Sequence, residues 1–79
     1  MNIVKVKWLD ICSGTANWSH IEDIEPKALE CVSVGFLLEK TDDIVCIAQN
    51  YATEEGLVSD TMTFPLSIVK DIIVLEEKK

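Results

Sequence analysis

Residues 30–51, ECVSVGFLLEKTDDIVCIAQNY, contain two apolar runs joined by a short polar turn, and this stretch determines the predicted fold. Apolar residues occupy every even position from Val32 to Leu38, as in a β-strand whose successive side chains point to opposite faces. Gly35, in the middle of this run, predicts a bend, a bulge or the close approach of another backbone. Residues 40–43 predict a tight turn, because aspartate side chains favour turns through local hydrogen bonds to the backbone. The stretch is therefore predicted to form a β-hairpin with a bent first strand.

Alternation with a period of two also occurs in residues 3–12 and in the TMTF of residues 57–64. Residues 70–77, KDIIVLEE, are predicted to form a final strand, which brings the predicted number of strands to five. Trp8 falls on the same face as the neighbouring valines and is predicted to belong to the core. Pro65 ends the ladder of the fourth strand, because proline donates no backbone hydrogen bond. The five residues that begin with Pro65 fit one 3₁₀ turn.

A long segment, residues 13–30, separates the first two strands and is interpreted as an ordered loop. Ser19 followed by Glu22 resembles a capping box, so one or two helical turns could begin there. Pro26 limits the length of that helix. A loop of this length in a compact domain is usually functional or packed over the core.

The order of these elements predicts a mainly β chain that forms one domain over residues 1–79. The predicted fold is a small five-stranded SH3-like barrel, with a long loop after strand 1 and a short 3₁₀ turn before the last strand. An Sm-like or OB-like barrel is the main alternative, and it differs in the position of the helix.

The charge of the chain restricts the classes of partner that it can bind. Its 79 residues include 14 acidic residues, 7 lysines and no arginine, for a net charge of −7. This balance predicts no binding to nucleic acid or to an anionic membrane, because both depend on clustered cations. The sequence MNIVKVKWLD at the start contains no signal peptide, and we expect a complete small gene product in a reducing compartment.

Several short motifs give the chain a family resemblance. VKWLD near the start, a second tryptophan soon after, CVSVGFLLEKTDD, IAQ, and FP before IVKDI resemble small proteins of tailed bacteriophages. The resemblance covers nearly the whole chain, and its motifs are structural: a strand, a glycine bend, a hairpin turn and a proline stop. It implies an origin in a phage genome and a location in the cytoplasm of the bacterial host. It implies no mechanism and no functional residue.

No constellation of residues predicts catalysis, and we expect neither an enzyme nor a cofactor. Cys12, His20 and Asp23 could be assembled into a nucleophilic trio, but no recognisable motif contains them. Asp10, Glu22 and Asp23 could together form a weak site for a divalent cation. A solvated acidic loop is the favoured interpretation of these residues. The three cysteines, which lack metal-ligand spacing, are interpreted as small buried hydrophobes.

Aromatic residues near loops give the candidate binding site. Trp18 lies in the long loop, where it either caps the barrel or anchors a partner, since tryptophan is enriched at binding surfaces. Tyr51, at a strand end beside a loop, is likewise interpreted either as part of the packing or as an anchor for a partner. The predicted partner-binding residues are Trp18, Tyr51 and Asp10.

The favoured function is a non-enzymatic accessory protein that binds a host or phage protein. The alternative is an oligomer that binds a small molecule, such as a signalling nucleotide, and thereby counters host defence. Mimicry of DNA by surface carboxylates is a third reading. Leu37, Leu57 and Ile73 lie on strand faces that the pattern does not assign to the core, and they predict a homo-oligomer contact.

Overall fold

The structure is a computed structural model that describes residues 1–10, 18–24 and 28–76. The interpretations of Cys12 as a buried thiol or a nucleophile and of Pro26 as a helix stop concern residues outside these ranges. Those interpretations therefore stay predictions.

Five antiparallel strands form a single sheet, which confirms the mainly β prediction. The strands are β1 (Ile3–Asp10), β2 (Leu29–Lys40), β3 (Ile44–Ala52), β4 (Leu57–Pro65) and β5 (Val69–Glu76). Their order in the sheet is β4-β3-β2-β1-β5, so β4 and β5 are the edges. The sheet is open, and closure into an SH3-like barrel is not confirmed.

Helical structure among the described residues is limited to two 3₁₀ turns, Ile21–Asp23 and Leu66–Ile68. The second turn lies directly before β5, as predicted. The first turn begins after His20 without a side-chain cap, so the predicted capping box does not form. No helix in the part of the chain that the structure describes is long and apolar enough to cross a membrane.

The bend predicted at Gly35 divides β2 between two neighbouring strands. Residues 29–36 pair with β1, whereas β3 pairs only with the second half of β2, from Phe36 to Lys40. A β-carbon at Gly35 would lie 2.6 Å from the backbone oxygen of Ala48, so glycine permits the close approach of β3. The close backbone approach expected at this position is confirmed.

The turn between β2 and β3 is tight, as predicted, but a threonine rather than an aspartate supplies its hydrogen bonds. The Thr41 hydroxyl accepts bonds from the backbone N–H groups of Asp43, at 3.2 Å, and Ile44, at 3.1 Å. The backbone oxygen of Asp43 in turn accepts a 2.8 Å bond from Leu66 N–H, which ties this turn to the 3₁₀ turn before β5.

The core lies on one side of the sheet and consists of aliphatic residues and one phenylalanine. Its buried members are Val4, Val6, Val45, Ile47, Ala48 and Phe64. Trp8 packs against this cluster, with its ring 5.1 Å from that of Phe64 and its Nε1–H donating a 3.0 Å bond to Ser33 Oγ. The prediction that Trp8 belongs to the core is confirmed.

The alternation in β2 is present, but its apolar side faces away from the core. Gly35 and Ser33 lie opposite the buried Val4 and Val6, whereas Val32 and Val34 are 55% and 49% exposed. Leu37 packs against the core, which contradicts its assignment to an oligomer contact. Two contacts explain the small residues on the inner side: the backbone of Ala48 leaves no room for a side chain at Gly35, and Ser33 accepts the hydrogen bond from Trp8.

Candidate functional site

Tyr51, one of the three predicted partner-binding residues, lies near the end of β3 against a second aromatic ring. Its ring centroid is 5.7 Å from that of Phe36, and the two rings meet edge to face at 69°. Such aromatic pairs contribute about 0.5–1.5 kcal/mol beyond the area that they bury. The half-buried tyrosine ring is therefore held in position before any partner arrives.

The hairpin that carries Tyr51 extends beyond the part of β3 that pairs with β2. The pairing between β2 and β3 runs no further along β3 than Ala48, whereas the pairing between β3 and β4 continues to Ala52 and Leu57. Gly56, with a φ of 68°, provides the left-handed conformation that the connecting turn requires. The end of this hairpin consequently projects from the sheet.

Apolar side chains on the first residues of β4 extend the surface around Tyr51. Val58 lies directly opposite Tyr51 in the ladder, and Leu57, which precedes Val58 at the turn, lies opposite Ala52. Leu57 is 64% exposed and Val58 is 39% exposed. We call the group of Phe36, Tyr51, Leu57 and Val58 the Tyr51 surface.

Tyr51 borders two depressions of very different size. A pocket of about 90 Å³ lies between Tyr51, Phe36 and the N-terminal residues, with Glu76 at its rim. A broad, open concavity of about 510 Å³ runs along the hairpin, and Tyr51, Leu57 and Val58 contribute to its lining. Tyr51 thus contributes to the lining of both depressions.

A polar cluster fixes the hairpin next to these apolar residues. The Asn50 side-chain amide donates to Ser59 Oγ at 3.1 Å and to the Asp60 carboxylate at 2.9 Å. Asp60 has a φ of 55°, in the left-handed region that aspartate tolerates better than most non-glycine residues. The cluster holds this backbone conformation and gives the Tyr51 surface a polar border.

Asp10 and Tyr51 lie far apart. Asp10 ends β1 opposite Leu29, whereas Tyr51 contacts Phe36, which lies opposite Ile3 at the other end of that strand. Seven residues of extended chain separate Ile3 from Asp10, a distance of about 23 Å. The structure therefore does not bring Asp10 and Tyr51 into one site.

Trp18 is fully exposed in the segment between β1 and β2, close in sequence to the 3₁₀ turn Ile21–Asp23. Ile21 in that turn is also almost completely exposed. The reading that Trp18 caps an open barrel end is wrong, because a capping ring would be covered. The reading as a surface anchor stays a prediction.

The acidic and thiol residues considered for chemistry do not assemble into a metal site. Within residues 1–10, 18–24 and 28–76, no three His, Cys, Asp or Glu side chains gather as metal ligands would. His20, Glu22 and Asp23 are exposed. Cys31 and Cys46 are free thiols and are half-buried, so they are less covered than the small buried hydrophobes that the sequence predicted.

Sequence analysis missed Phe36, Leu57 and Val58 as members of the site. Leu57 was recognised only as an unassigned apolar residue, and Phe36 only as one position of an alternating strand. The pairing of Tyr51 with Val58 could have identified Val58, since residues opposite each other in a hairpin share a face. Leu57 lies opposite Ala52 and Phe36 lies in β2, so that signal identifies neither of them. Comparisons with protein-family models, with curated proteins and with solved structures found no match for the chain.

Proposed function

We propose that the chain is a non-enzymatic accessory protein of a tailed bacteriophage that binds a host or phage protein in the cytoplasm of the bacterial host. The resemblance of its sequence to small phage proteins supports the origin and the location. The Tyr51 surface supports the binding role, and it is the observation on which the proposal rests.

The arrangement of the Tyr51 surface resembles the anatomy of a protein interface. Such interfaces have an aromatic and aliphatic centre with a polar rim, and tyrosine is one of the residues most often found to dominate their affinity. Here Tyr51 is held by Phe36, Leu57 is exposed beside it, and the Asn50–Asp60 cluster forms part of the rim. A preformed anchor reduces the entropy that is lost on binding.

The charge around the hairpin indicates the chemistry of the partner. Glu54 and Glu55 lie in the turn and are exposed, and Asp60 lies on the adjacent strand. The chain as a whole carries a charge of −7. A partner with an apolar socket and a basic rim would be complementary in shape and charge, and the opposite charges would accelerate encounter.

An SH3-like fold is part of the same proposal. Three observations support it: the long bent β2, the pairing of β1 with β5, and the 3₁₀ turn directly before β5. Binding between loops through surface aromatic residues is common in that architecture, although fold alone does not establish function.

A small-molecule ligand has weaker support than a protein partner. The pocket beside Phe36 and Tyr51 has a volume of about 90 Å³, whereas pockets for small molecules usually measure about 300–1,000 Å³. The larger concavity along the hairpin is open and shallow. A nucleotide would require a deeper site built between subunits.

Site-specific photo-crosslinking in infected or uninfected host lysate tests the proposal. A photoreactive residue at position 57 should give a discrete crosslinked protein, and the same residue at position 42, in the β2–β3 turn, should not. Tyr51→Ala should abolish the crosslink. Ile21→Ala, which removes a more exposed aliphatic side chain outside the Tyr51 surface, should leave it unchanged.

Two results would count against the proposal in different ways. Loss of the crosslink in Trp18→Ala but not in Tyr51→Ala would place the binding site in the segment between β1 and β2. The binding role itself would be contradicted if position 57 gave no crosslinked protein, or only crosslinks that an excess of unlabelled chain does not reduce.

A further inference from the structure

A register shift near the end of β5 determines which side chain lies beside Ile3. Residues 4–7 pair with β5 in one continuous register, and the same register extended by one residue would place Leu75 opposite Ile3. The register shifts between Ile3 and Val4, so Glu76 lies opposite Ile3 instead. Bulges of this kind are frequent next to functional sites, where they redirect a side chain. Here the shift replaces an apolar residue with a carboxylate.

Two aromatic rings lie on the other side of Ile3. Phe36 is the partner of Ile3 in the ladder between β1 and β2, so Phe36, Ile3 and Glu76 form a row across three neighbouring strands. Partners in neighbouring strands share a face of the sheet. The ring of Tyr51 lies 5.7 Å from that of Phe36. One end of this face therefore combines two aromatic rings with a carboxylate.

These residues line the smaller of the two depressions beside Tyr51, which has a volume of about 90 Å³. A water molecule occupies about 30 Å³ in the liquid, so the depression has room for about three waters or for the end of one side chain. The backbone N–H of Leu37 donates a 2.8 Å bond to the backbone oxygen of Asn2, which holds the residues before β1 against β2. We call this depression the Glu76 pocket; its lining residues are Met1, Ile3, Phe36, Tyr51, Thr53 and Glu76.

The charge of the Glu76 pocket is negative, and within the described part of the chain nothing neutralises it. Neither a described lysine nor the amino group of Met1 forms an ion pair with Glu76. Lys70 pairs instead with Glu30, at 3.3 Å, toward the opposite end of β1. The chain carries a net charge of −7, which also attracts a cation to this site.

Aromatic rings and a carboxylate together suit an organic cation. The face of a phenylalanine or tyrosine ring attracts a cation, and a carboxylate accepts a charge-assisted hydrogen bond from it. An ammonium group has three N–H donors, whereas the larger, planar guanidinium has five. Three lining side chains contain oxygen acceptors, namely Glu76, Tyr51 and Thr53. The number of acceptors and the small volume therefore favour an ammonium group on an alkyl chain.

We propose that the Glu76 pocket binds an alkylammonium group, supplied by a lysine side chain of the protein partner. The methylenes of that side chain pack against Ile3 and Phe36, and its ammonium group lies between Glu76 and Tyr51. The assignment to a partner's lysine rests on the proposed function, because Tyr51 belongs to both the pocket and the Tyr51 surface. The partner's lysine enters beside the apolar contact that Leu57 makes.

Titration of the full chain with n-butylammonium chloride, followed by ¹H–¹⁵N NMR at constant ionic strength, tests the pocket without any partner. The amide signals of Ile3, Phe36 and Glu76 should shift, with a dissociation constant on the order of millimolar. 1-Butanol has the same number of heavy atoms and no charge, so it should bind at least about fivefold more weakly. Equal binding of the two compounds would overturn the proposal, because it would show an apolar depression without preference for a cation.

Two pairs of variants separate the contributions of the carboxylate and the ring. Glu76→Gln should weaken n-butylammonium binding about twofold to fivefold, whereas Asp42→Asn, which removes the same charge from the exposed β2–β3 turn, should not change it. Tyr51→Leu keeps apolar bulk without a ring, and it should bind about twofold to fivefold more weakly than Tyr51→Phe, which keeps the ring. Equal affinities within either pair would contradict the assigned role of that side chain.

The crosslinking assay at position 57 identifies the source of the ammonium group. Glu76→Gln should reduce the yield of the crosslink and excess n-butylammonium should compete with it, whereas Asp42→Asn and 1-butanol should have no effect. A crosslink that Glu76→Gln leaves unchanged would show that the partner's lysine does not occupy the pocket and that its ligand is a free amine. A chain that binds n-butylammonium but gives no crosslink would contradict the proposed function and not the pocket.

Discussion

Gly35→Ala tests the structural basis of the bend in β2. The added β-carbon would lie 2.6 Å from the backbone oxygen of Ala48, 3.2 Å from its carbonyl carbon, and 3.3 Å from Ile47 Cβ. A separation below 3.0 Å between such atoms requires movement. The two nearest atoms belong to the backbone of β3, so no side-chain rotation can relieve the contact. β2 and β3 must separate by several tenths of an ångström where Phe36 pairs with Ala48.

The expected cost follows from two opposing effects. Inserting a methyl group into a closely packed region costs about 1–3 kcal/mol. Replacing glycine with alanine also restricts the unfolded chain, which returns about 0.4–1 kcal/mol. We therefore expect a net loss of about 1–2 kcal/mol in the free energy of unfolding. For a domain of this size each kcal/mol lowers Tm by about 4–8 °C.

Urea and thermal unfolding, followed by circular dichroism, measure this loss. Gly56→Asn provides the matched control, because Gly56 has a φ of 68° but no neighbouring atom within 4 Å, and asparagine tolerates that conformation. The control should change stability by less than about 1 kcal/mol. A Gly35→Ala protein that is as stable as the wild type, or more stable, would refute the account of the bend as a forced close approach.

Three further groups of substitutions test individual hydrogen bonds by the same unfolding measurements. Trp8→Phe and Ser33→Ala each remove one partner of the Nε1–Oγ bond, and a double-mutant cycle should give a coupling of about 0.5–1.5 kcal/mol; additive losses would show that the bond contributes nothing. Thr41→Ala removes the acceptor for two turn amides and should cost about 1 kcal/mol, and an unchanged urea midpoint would contradict that role. Asp60→Ala loses the bond from the Asn50 amide and places alanine in a left-handed backbone, so we expect a loss of about 1–2 kcal/mol in the free energy of unfolding. Asp60→Asn should recover part of this loss, because asparagine tolerates that backbone conformation better than alanine does. Equal losses in the two variants would show that the left-handed backbone contributes nothing to the effect.

The strands and turns could be predicted because their signals are local. Two-residue alternation, Pro65 before the last 3₁₀ turn, and the polar residues after β2 each constrain the backbone within a few residues. Pairing between distant strands has no such local signal. Closure of the sheet depends on how far β4 and β5 lie apart, and no residue pattern in either strand specifies that distance.

The direction in which β2 faces shows most clearly what alternation leaves undetermined. Alternation divides the residues of β2 between two faces but does not say which face is buried. The face with the larger residues, Val32 and Val34, is the usual choice for a core. The structure places Gly35 and Ser33 inward instead, because Ala48 approaches too closely for a side chain and Trp8 requires a hydrogen-bond acceptor. Both reasons depend on residues far away in the sequence.

The candidate site was predictable only where its signal is local. Tyr51 could be identified as a tyrosine at a strand end beside a loop, which is local information. Its distance from Asp10 depends on the register of β1 with β2, and its proximity to Leu57 and Val58 depends on the register of β3 with β4. The role of Tyr51 in binding stays a prediction, and its neighbours in the structure are not the ones that the sequence pattern grouped with it.

The bend at Gly35 connects the fold to the Tyr51 surface. Because β2 turns away from β3 at this glycine, the hairpin with Tyr51 extends beyond the β2–β3 ladder. Gly35→Ala should thus weaken crosslinking at position 57, whereas Gly56→Ala, in the turn of the same hairpin, should leave the β2–β3 ladder intact. Amide hydrogen exchange in Gly35→Ala should first accelerate at the β2–β3 ladder, with protection retained between β1 and β5. Uniform acceleration across all strands would instead mean that the bend contributes to global stability without controlling the Tyr51 surface.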